Sequence, residues 1–335
     1  MRKVCNMAEK YKNVLITGGS GNLGRHVYYN LCNDYNCTLF DQVDPTQAKE
    51  PWEPNWKKTV FVRGNLDNYG DCMRAIAHAK ADVIMHIAGI PFPTEVTPSN
   101  NRRWARTAKE DDTFMSNVAG TYYLLEAAAR MGVKKVIFAG SFFATGIGNR
   151  ISGKPWPIES VPITEDYDCC PEDSYSYSKL LGEHLLKFYS DAFGMKTISF
   201  RLQGVSYPYR PHLSPIEIPV MEKCKEGFFE GHTWQYADAR DIANAMRLAI
   251  EKDLDKGFEA FNIVTDKRYE ESTADFAKSH WPTIAHMCQD FKGPEDRGLF
   301  SDQKLRDMLG YKEQYSWRQA PEYPGPGPSD PNDND

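Results

Sequence analysis

The chain has 335 residues, 41% of them hydrophobic, which suffices for one large domain or for a large domain with a smaller lobe. Its net charge of -6 leaves no basic excess to neutralise phosphates over a broad surface, so no nucleic-acid partner is expected. The opening MRKVCNMAEKYKN lacks an apolar run of signal-peptide length, and nowhere does the chain approach the ~18 consecutive apolar residues of a membrane span. A cytoplasmic location without membrane contact is the expectation. Eight cysteines (Cys5, Cys32, Cys37, Cys72, Cys169, Cys170, Cys224, Cys288) show no paired ligand spacing, so reduced thiols and no metal are expected.

In chain order, the first half alternates apolar runs with helical patterns: NVLIT, a helix through Leu31, CTLFD, TVFVRG, ADVIMHIAG, a helix from about Asp112 to Arg130, and VIFAGS. Such runs suit strands buried on both faces, which predicts a doubly wound parallel α/β sheet of the Rossmann kind. A helix over Tyr175 to Ala192 and a strand TISFRL continue the pattern, after which Pro and Gly become frequent. Then RDIANAMRLAIE reads as an amphipathic helix, FEAFNIVT as a strand, and SDQKLRDMLG as a helix stopped by Gly310. The expected organisation is a dinucleotide-binding domain over 11–202, to which 236–265 partly return. A smaller, discontinuous substrate lobe takes 203–235 and 266–319. The segment 320–335, rich in Pro, Gly and Asp, is expected to be disordered.

TGGSGNLG follows the first strand and opens the first helix, with Gly18, Gly21 and Gly24 at three-residue spacing. Glycines there allow a tight turn, let backbone amides approach a pyrophosphate at the positive helix end, and permit close packing of helix on strand. The second strand ends in Asp41, where a carboxylate can accept hydrogen bonds from an adenosine ribose. Gln42 and Val43 follow, with no Arg or Lys to await a ribose phosphate, so NAD is favoured over NADP.

DSYSYSKLLGE places Tyr175 and Lys179 on one helix face, a turn apart. A free phenol titrates near ~10, so a basic role near neutral pH needs a neighbouring positive charge, which an ammonium and an oxidised nicotinamide can supply. Ser141 ends VIFAGS at the sheet edge where such folds bind ligands, and can hydrogen-bond a substrate oxygen. Asn117 lies in an otherwise apolar helix, where an amide needs partners.

At these residues the chain resembles the extended short-chain dehydrogenase/reductase family, the NAD-dependent epimerase/dehydratase type, over nearly everything from Asn13 to about Gly310. The resemblance implies that Gly18, Gly21, Asn22, Leu23, Gly24 and Asp41 hold the adenosine diphosphate. Asn65 and Leu66 would flank the adenine, and Ile87, Ala88 and Gly89 would line the cofactor together with Asn117, Tyr175, Lys179 and Gln203. Ser141, Tyr175 and Lys179 match the family's triad and Asn117 its helix amide, with the tyrosine exchanging a proton while hydride passes to or from the nicotinamide. Three positions depart from the family pattern: Asn65 stands for a usual Asp, Gln203 and Gly204 for a usual Asn, and Trp234 for a basic residue that commonly grips a diphosphate.

Two loops bear on the substrate. The segment TEVTPSNNRRWARTAKEDD carries Arg102, Arg103, Arg106 and Trp104, either as a lid over an anionic substrate or as a solvated basic loop. The segment between Ser141 and Tyr175 is expected to shape the pocket through Trp156. The leading reading is an NAD-dependent oxidoreductase acting on a secondary alcohol or ketone of a sugar-like, non-nucleotide small molecule. A sugar-nucleotide epimerase or dehydratase with tightly bound NAD is the alternative, and a non-catalytic NAD-binding regulator the third. By family analogy, the helices bearing Asn117 and Tyr175 pair with their copies in a homodimer.

Overall fold

In this computed structural model, which describes residues 11–47, 59–95, 109–147, 150–154, 156–207, 234–316 and 318, strand alternation sets the architecture. In chain order come β1 (Asn13–Thr17), α1 (Asn22–Leu31), β2 (Asn36–Asp41), β3 (Val60–Arg63), α2 (Tyr69–Ala79), β4 (Val83–His86), α3 (Asp112–Phe114) and α4 (Gly120–Arg130). A π-helical turn, Met115–Ala119, joins α3 to α4. There follow β5 (Lys135–Ser141), α5 (Ser174–Phe193), β6 (Lys196–Leu202), β7 (Gly204–Ser206), β8 (Gln235–Asp238), α6 (Ala239–Glu251), β9 (Phe258–Ile263), β10 (Asp266–Lys267), α7 (Thr273–His280) and α8 (Gln303–Leu309).

Seven strands form one parallel sheet in the order β3-β2-β1-β4-β5-β6-β9. Successive residues of a strand face opposite sides. Val14, Ile16, Val83, Met85, Ile137 and Ala139 accordingly join one core with α1 and α6. Leu15, Ile84, Val136 and Phe138 join the other with α2, α4 and α5. Helices thus cover both faces, and the sheet is the doubly wound one the sequence predicts. Helix α2 is the element the apolar runs did not reveal. Its stripe is Cys72, Ala75, Ile76 and Ala79, small side chains at helical spacing, and Asn68 caps it by accepting the Asp71 N–H at 3.1 Å.

A second, three-stranded sheet in the order β10-β8-β7 lies beyond β6. Beside it a third core gathers Tyr269, Phe276, Trp281, Leu299 and Phe300 with Phe142, Ile147, Trp156 and Ile163. The segment between β5 and α5 therefore packs with the C-terminal residues, although the sequence boundary assigned it to the large domain. In the opposite sense, Leu305 and Leu309 of α8 enter the first core with α6, although they were expected in the lobe. Apolar periodicity marks which face of a segment is buried, not which core receives it. The expected disordered tail and residues 208–233 lie outside the described residues. Among the described residues, no helix is long and apolar enough to cross a membrane.

Helix α5 is fastened to the sheet at two points. A Cβ on Gly182 would lie 2.7 Å from the Phe138 ring, so only glycine allows the helix so close to β5. One position on, the buried Glu183 takes a two-pronged ion pair from Arg201 of β6, with Nε at 3.0 Å and Nη2 at 2.9 Å. Ser199 donates a further bond to the same carboxylate at 3.0 Å. Removing one partner strands a buried charge, so Glu183→Ala is expected to lower the unfolding free energy by about 3–5 kcal/mol in urea denaturation. A loss below about 1 kcal/mol would show that the pair behaves as an exposed one.

Candidate active site

From β1 the chain moves outward through β2 to β3, then returns to β4 on the other side of β1. A crevice opens at the carboxyl ends of the strands at such a reversal. Here it is a cleft of about 680 Å³. Gly18, Gly21, Asn22, Leu23, Gly24, Asp41, Asn65, Leu66, Ile87, Ala88, Gly89, Ser141, Tyr175, Lys179 and Gln203 all line it, and Asn117 does not.

The glycine turn is held by close approach. Gly18 has a φ of 67°, and a Cβ on it would lie 2.8 Å from the Ala88 backbone after β4. A Cβ on Gly24 would lie 2.1 Å from the Gly18 carbonyl oxygen, so α1 can begin only where side chains are missing. No side chain caps the start of α1, which leaves its first amides and positive end facing the cleft. The Asp41 carboxylate accepts the Ser20 N–H at 3.0 Å and the Val43 N–H at 3.2 Å, tying the turn to β2. Asn65 accepts from Gln42 Nε2 at 3.2 Å and from the Asp67 N–H at 3.1 Å.

Tyr175 lies in the first turn of α5, whose N-cap, Asp173, accepts the Ser176 N–H at 2.9 Å. Lys179 Nζ donates to the Ala139 carbonyl at 2.9 Å, and stands 4.9 Å from the Phe138 ring centre and 5.7 Å from that of Tyr175. Burial pushes the Tyr175 phenol up to about 12, with a hydrogen bond to Ser141 acting against this and the charge of Asp173 adding to it. Burial pulls the Lys179 ammonium down to about 8. At neutral pH the protein alone therefore keeps the phenol protonated, ready to donate. Taking a proton demands further positive charge in the cleft.

Asn117, expected as a catalytic and cofactor-contacting residue, is buried and makes its hydrogen bonds within the protein. Its Oδ1 accepts the Ile90 N–H at 2.8 Å, while Nδ2 donates to the Ile90 carbonyl and to Ser178 Oγ, both at 3.0 Å. Ser178 in turn donates to the Tyr175 carbonyl at 2.8 Å, so the amide joins the segment after β4 to the turn of α5 that carries the phenol. The π turn places Asn117 there; such turns gather at functional sites. Trp156 likewise supports the wall without lining the cleft. It packs parallel to Phe300 in the third core and donates Nε1 to the Thr145 carbonyl at 3.1 Å. Arg102, Arg103, Trp104 and Arg106 of the possible lid lie outside the described residues.

Sequence reasoning missed a buried relay beneath the cleft. Thr121 Oγ1 donates to the Asn117 carbonyl at 2.6 Å and so accepts from His86 Nε2 at 2.9 Å. The other ring nitrogen accepts from Thr17 Oγ1 at 2.9 Å, and that oxygen receives the Ile87 and Ala88 amides, each at 3.2 Å. Burial, helped by the charge of Lys179, pushes His86 down to about 3, which keeps the ring neutral. The signal available was a lone histidine in an apolar strand.

A model of the NAD dependent epimerase/dehydratase family matches residues 14–263, from the first strand through the glycine turn and the Tyr175–Lys179 helix to β9. The chain belongs to the NAD dependent epimerase/dehydratase family. It is an NAD-dependent enzyme of the extended short-chain dehydrogenase/reductase type, and its cofactor is NAD. The Gly18 and Gly24 approaches, the uncapped start of α1 and the Asp41 carboxylate fit that group. A bifunctional UDP-glucose 4-epimerase and UDP-xylose 4-epimerase of Arabidopsis thaliana is 24% identical to this family member, over 91% of the chain and 92% of the relative. A decarboxylating sterol-4-alpha-carboxylate 3-dehydrogenase of Candida albicans is 26% identical, over 75% of the chain and 67% of the relative. Among solved structures, a short-chain dehydrogenase/reductase superfamily protein of Agrobacterium tumefaciens with bound NAD superposes with a TM-score of 0.62 at 21% identity, covering 91% of this chain and 94% of its own.

Tyr175→Phe is expected to cut turnover by about 10²- to 10⁴-fold while calorimetry finds NAD affinity unchanged. Turnover near the wild-type rate would remove Tyr175 as the proton carrier.

Proposed function

We propose that this family member epimerises a hydroxyl-bearing carbon of a nucleotide-linked sugar, with NAD retained through the cycle. The observation that carries this reading is the similarity to a sugar-nucleotide 4-epimerase across about nine-tenths of both chains. It replaces net oxidation of a non-nucleotide sugar as the favoured chemistry.

NAD, when bound, supplies a hydride acceptor and donor beside the substrate. The glycine turn and the start of α1 take its phosphates, and Asp41 accepts from its ribose hydroxyls. Ser141 holds the substrate oxygen. Tyr175 takes the proton of the reacting hydroxyl and returns it to the same oxygen, so one phenol serves both halves of an epimerisation. The Lys179 ammonium favours the phenolate during that exchange, and Asn117 is a positioning residue for the Tyr175 turn.

With UDP-glucose, the purified protein is expected to give the C4 epimer without lasting absorbance from reduced nicotinamide. Stoichiometric accumulation of reduced nicotinamide would instead establish a net dehydrogenase. That second reading draws support from Trp234, which stands where the family pattern leads one to expect a diphosphate-gripping basic residue.

A second copy of this chain is proposed to cover the face of α4 and α5. Phe114, Met115, Val118, Tyr122, Leu181, Leu185 and Phe188 line an almost wholly apolar hollow there, with Met115 53% and Phe188 56% exposed. Phe188→Glu is expected to convert a dimer to monomers in sedimentation equilibrium, and an unchanged mass would dismiss this face as the contact.

A further inference from the structure

Arg268, directly after β10, is a charged group that the proton chemistry does not use; it does not itself line the cleft but stands against Gly204, which does. Its backbone N–H donates to the Trp234 carbonyl at 2.6 Å, which fixes the residue beside the start of β8. A Cβ on Gly204, a residue of the cleft wall, would lie 3.3 Å from Arg268 Nη2, so the guanidinium uses space that glycine leaves open. Its Nε is wholly buried and has no hydrogen-bond partner. The Tyr236 ring centre, 5.9 Å away, offers it an aromatic face.

Among the described residues, no carboxylate pairs with Arg268, whereas Arg201, Arg240, Arg247, Arg297 and Arg306 each hold at least one. A guanidinium carries five donors and stays charged in proteins, so leaving it half-buried without an acceptor is costly. Burial does pull its pKa down from the usual value. A ligand that brings the missing acceptor recovers that cost.

We propose that Arg268, admitted by Gly204, anchors an oxyanion of the substrate, either a sugar carboxylate or a nucleotide phosphate. The assignment rests on the reading that the cleft holds substrate beside Tyr175. The planar fork suits either anion through paired N–H bonds, and a neutral sugar would leave the charge unmatched. Arg268 is therefore a specificity residue, placed against Gly204 of the cleft wall.

The test is calorimetry on the full chain loaded with NAD, using UDP and free glucuronate as separate probes. Wild-type protein is expected to bind one of them; UDP assigns the anion as phosphate, glucuronate as carboxylate. Arg268→Met should weaken that binding by about 10- to 100-fold with NAD affinity unchanged, and Arg268→Lys should recover part of the loss. Should Arg268→Met not fold, Gly204→Val, which crowds the guanidinium without removing it, is expected to weaken the same probe. Binding of neither probe by wild-type protein, or undiminished binding by these variants, overturns the proposal. A protein that binds UDP through Arg268 yet fails to interconvert UDP-sugars defeats the epimerase reading and leaves the anchor standing. Interconversion with probe binding indifferent to Arg268 does the reverse.

Discussion

The seat of α5 on the sheet face over β5 and β6 is the constraint on which the reacting groups depend. Gly182 allows the helix against the Phe138 ring, and Glu183 meets Arg201 in a buried pair. Tyr175, Lys179 and Glu183 are spaced by four residues, so the face that is pinned is the face that carries the chemistry. The same docking brings Lys179 to the Ala139 carbonyl, two residues before Ser141. Phenol, ammonium and hydroxyl thus take their relative positions from one helix–strand contact.

The cofactor side rests on a second close approach, that of Gly18 to Ala88 at the point where the strand order reverses. Without side chains there, the ends of β1 and β4 lie near enough for Thr17 and His86 to join. The relay continues through Thr121 to the Asn117 carbonyl, and the Asn117 amide reaches Ile90 and Ser178. A polar chain therefore runs under the cleft from the glycine turn to α5. Its members are mutually satisfied, which is what allows a histidine and an asparagine to be buried there.

Electrostatically, burial tunes the site against ionisation. Burial raises Tyr175 and lowers both Lys179 and His86, the charge of Lys179 adding to the effect on His86. Arg268, against Gly204, extends the pattern as a cation whose buried Nε has no partner among the described residues. Such a cleft favours occupants that bring charge of their own.

Much of this was legible in the sequence. The apolar runs determined a parallel sheet with helices on both faces, because burial on both sides leaves a continuous hydrophobic stretch. The spacing of Gly18, Gly21 and Gly24, the terminal Asp41, and the four-residue step from Tyr175 to Lys179 are local geometries, fixed within a turn or a helix. Tertiary structure alone decided that Asn117 joins Ile90 to Ser178, that Trp156 supports a wall, that α8 joins the large core, and that Arg268 stands beside Gly204. Each of those depends on which distant segment supplies a partner for a polar group or an apolar face, and periodicity along one segment carries no information about its neighbour in space.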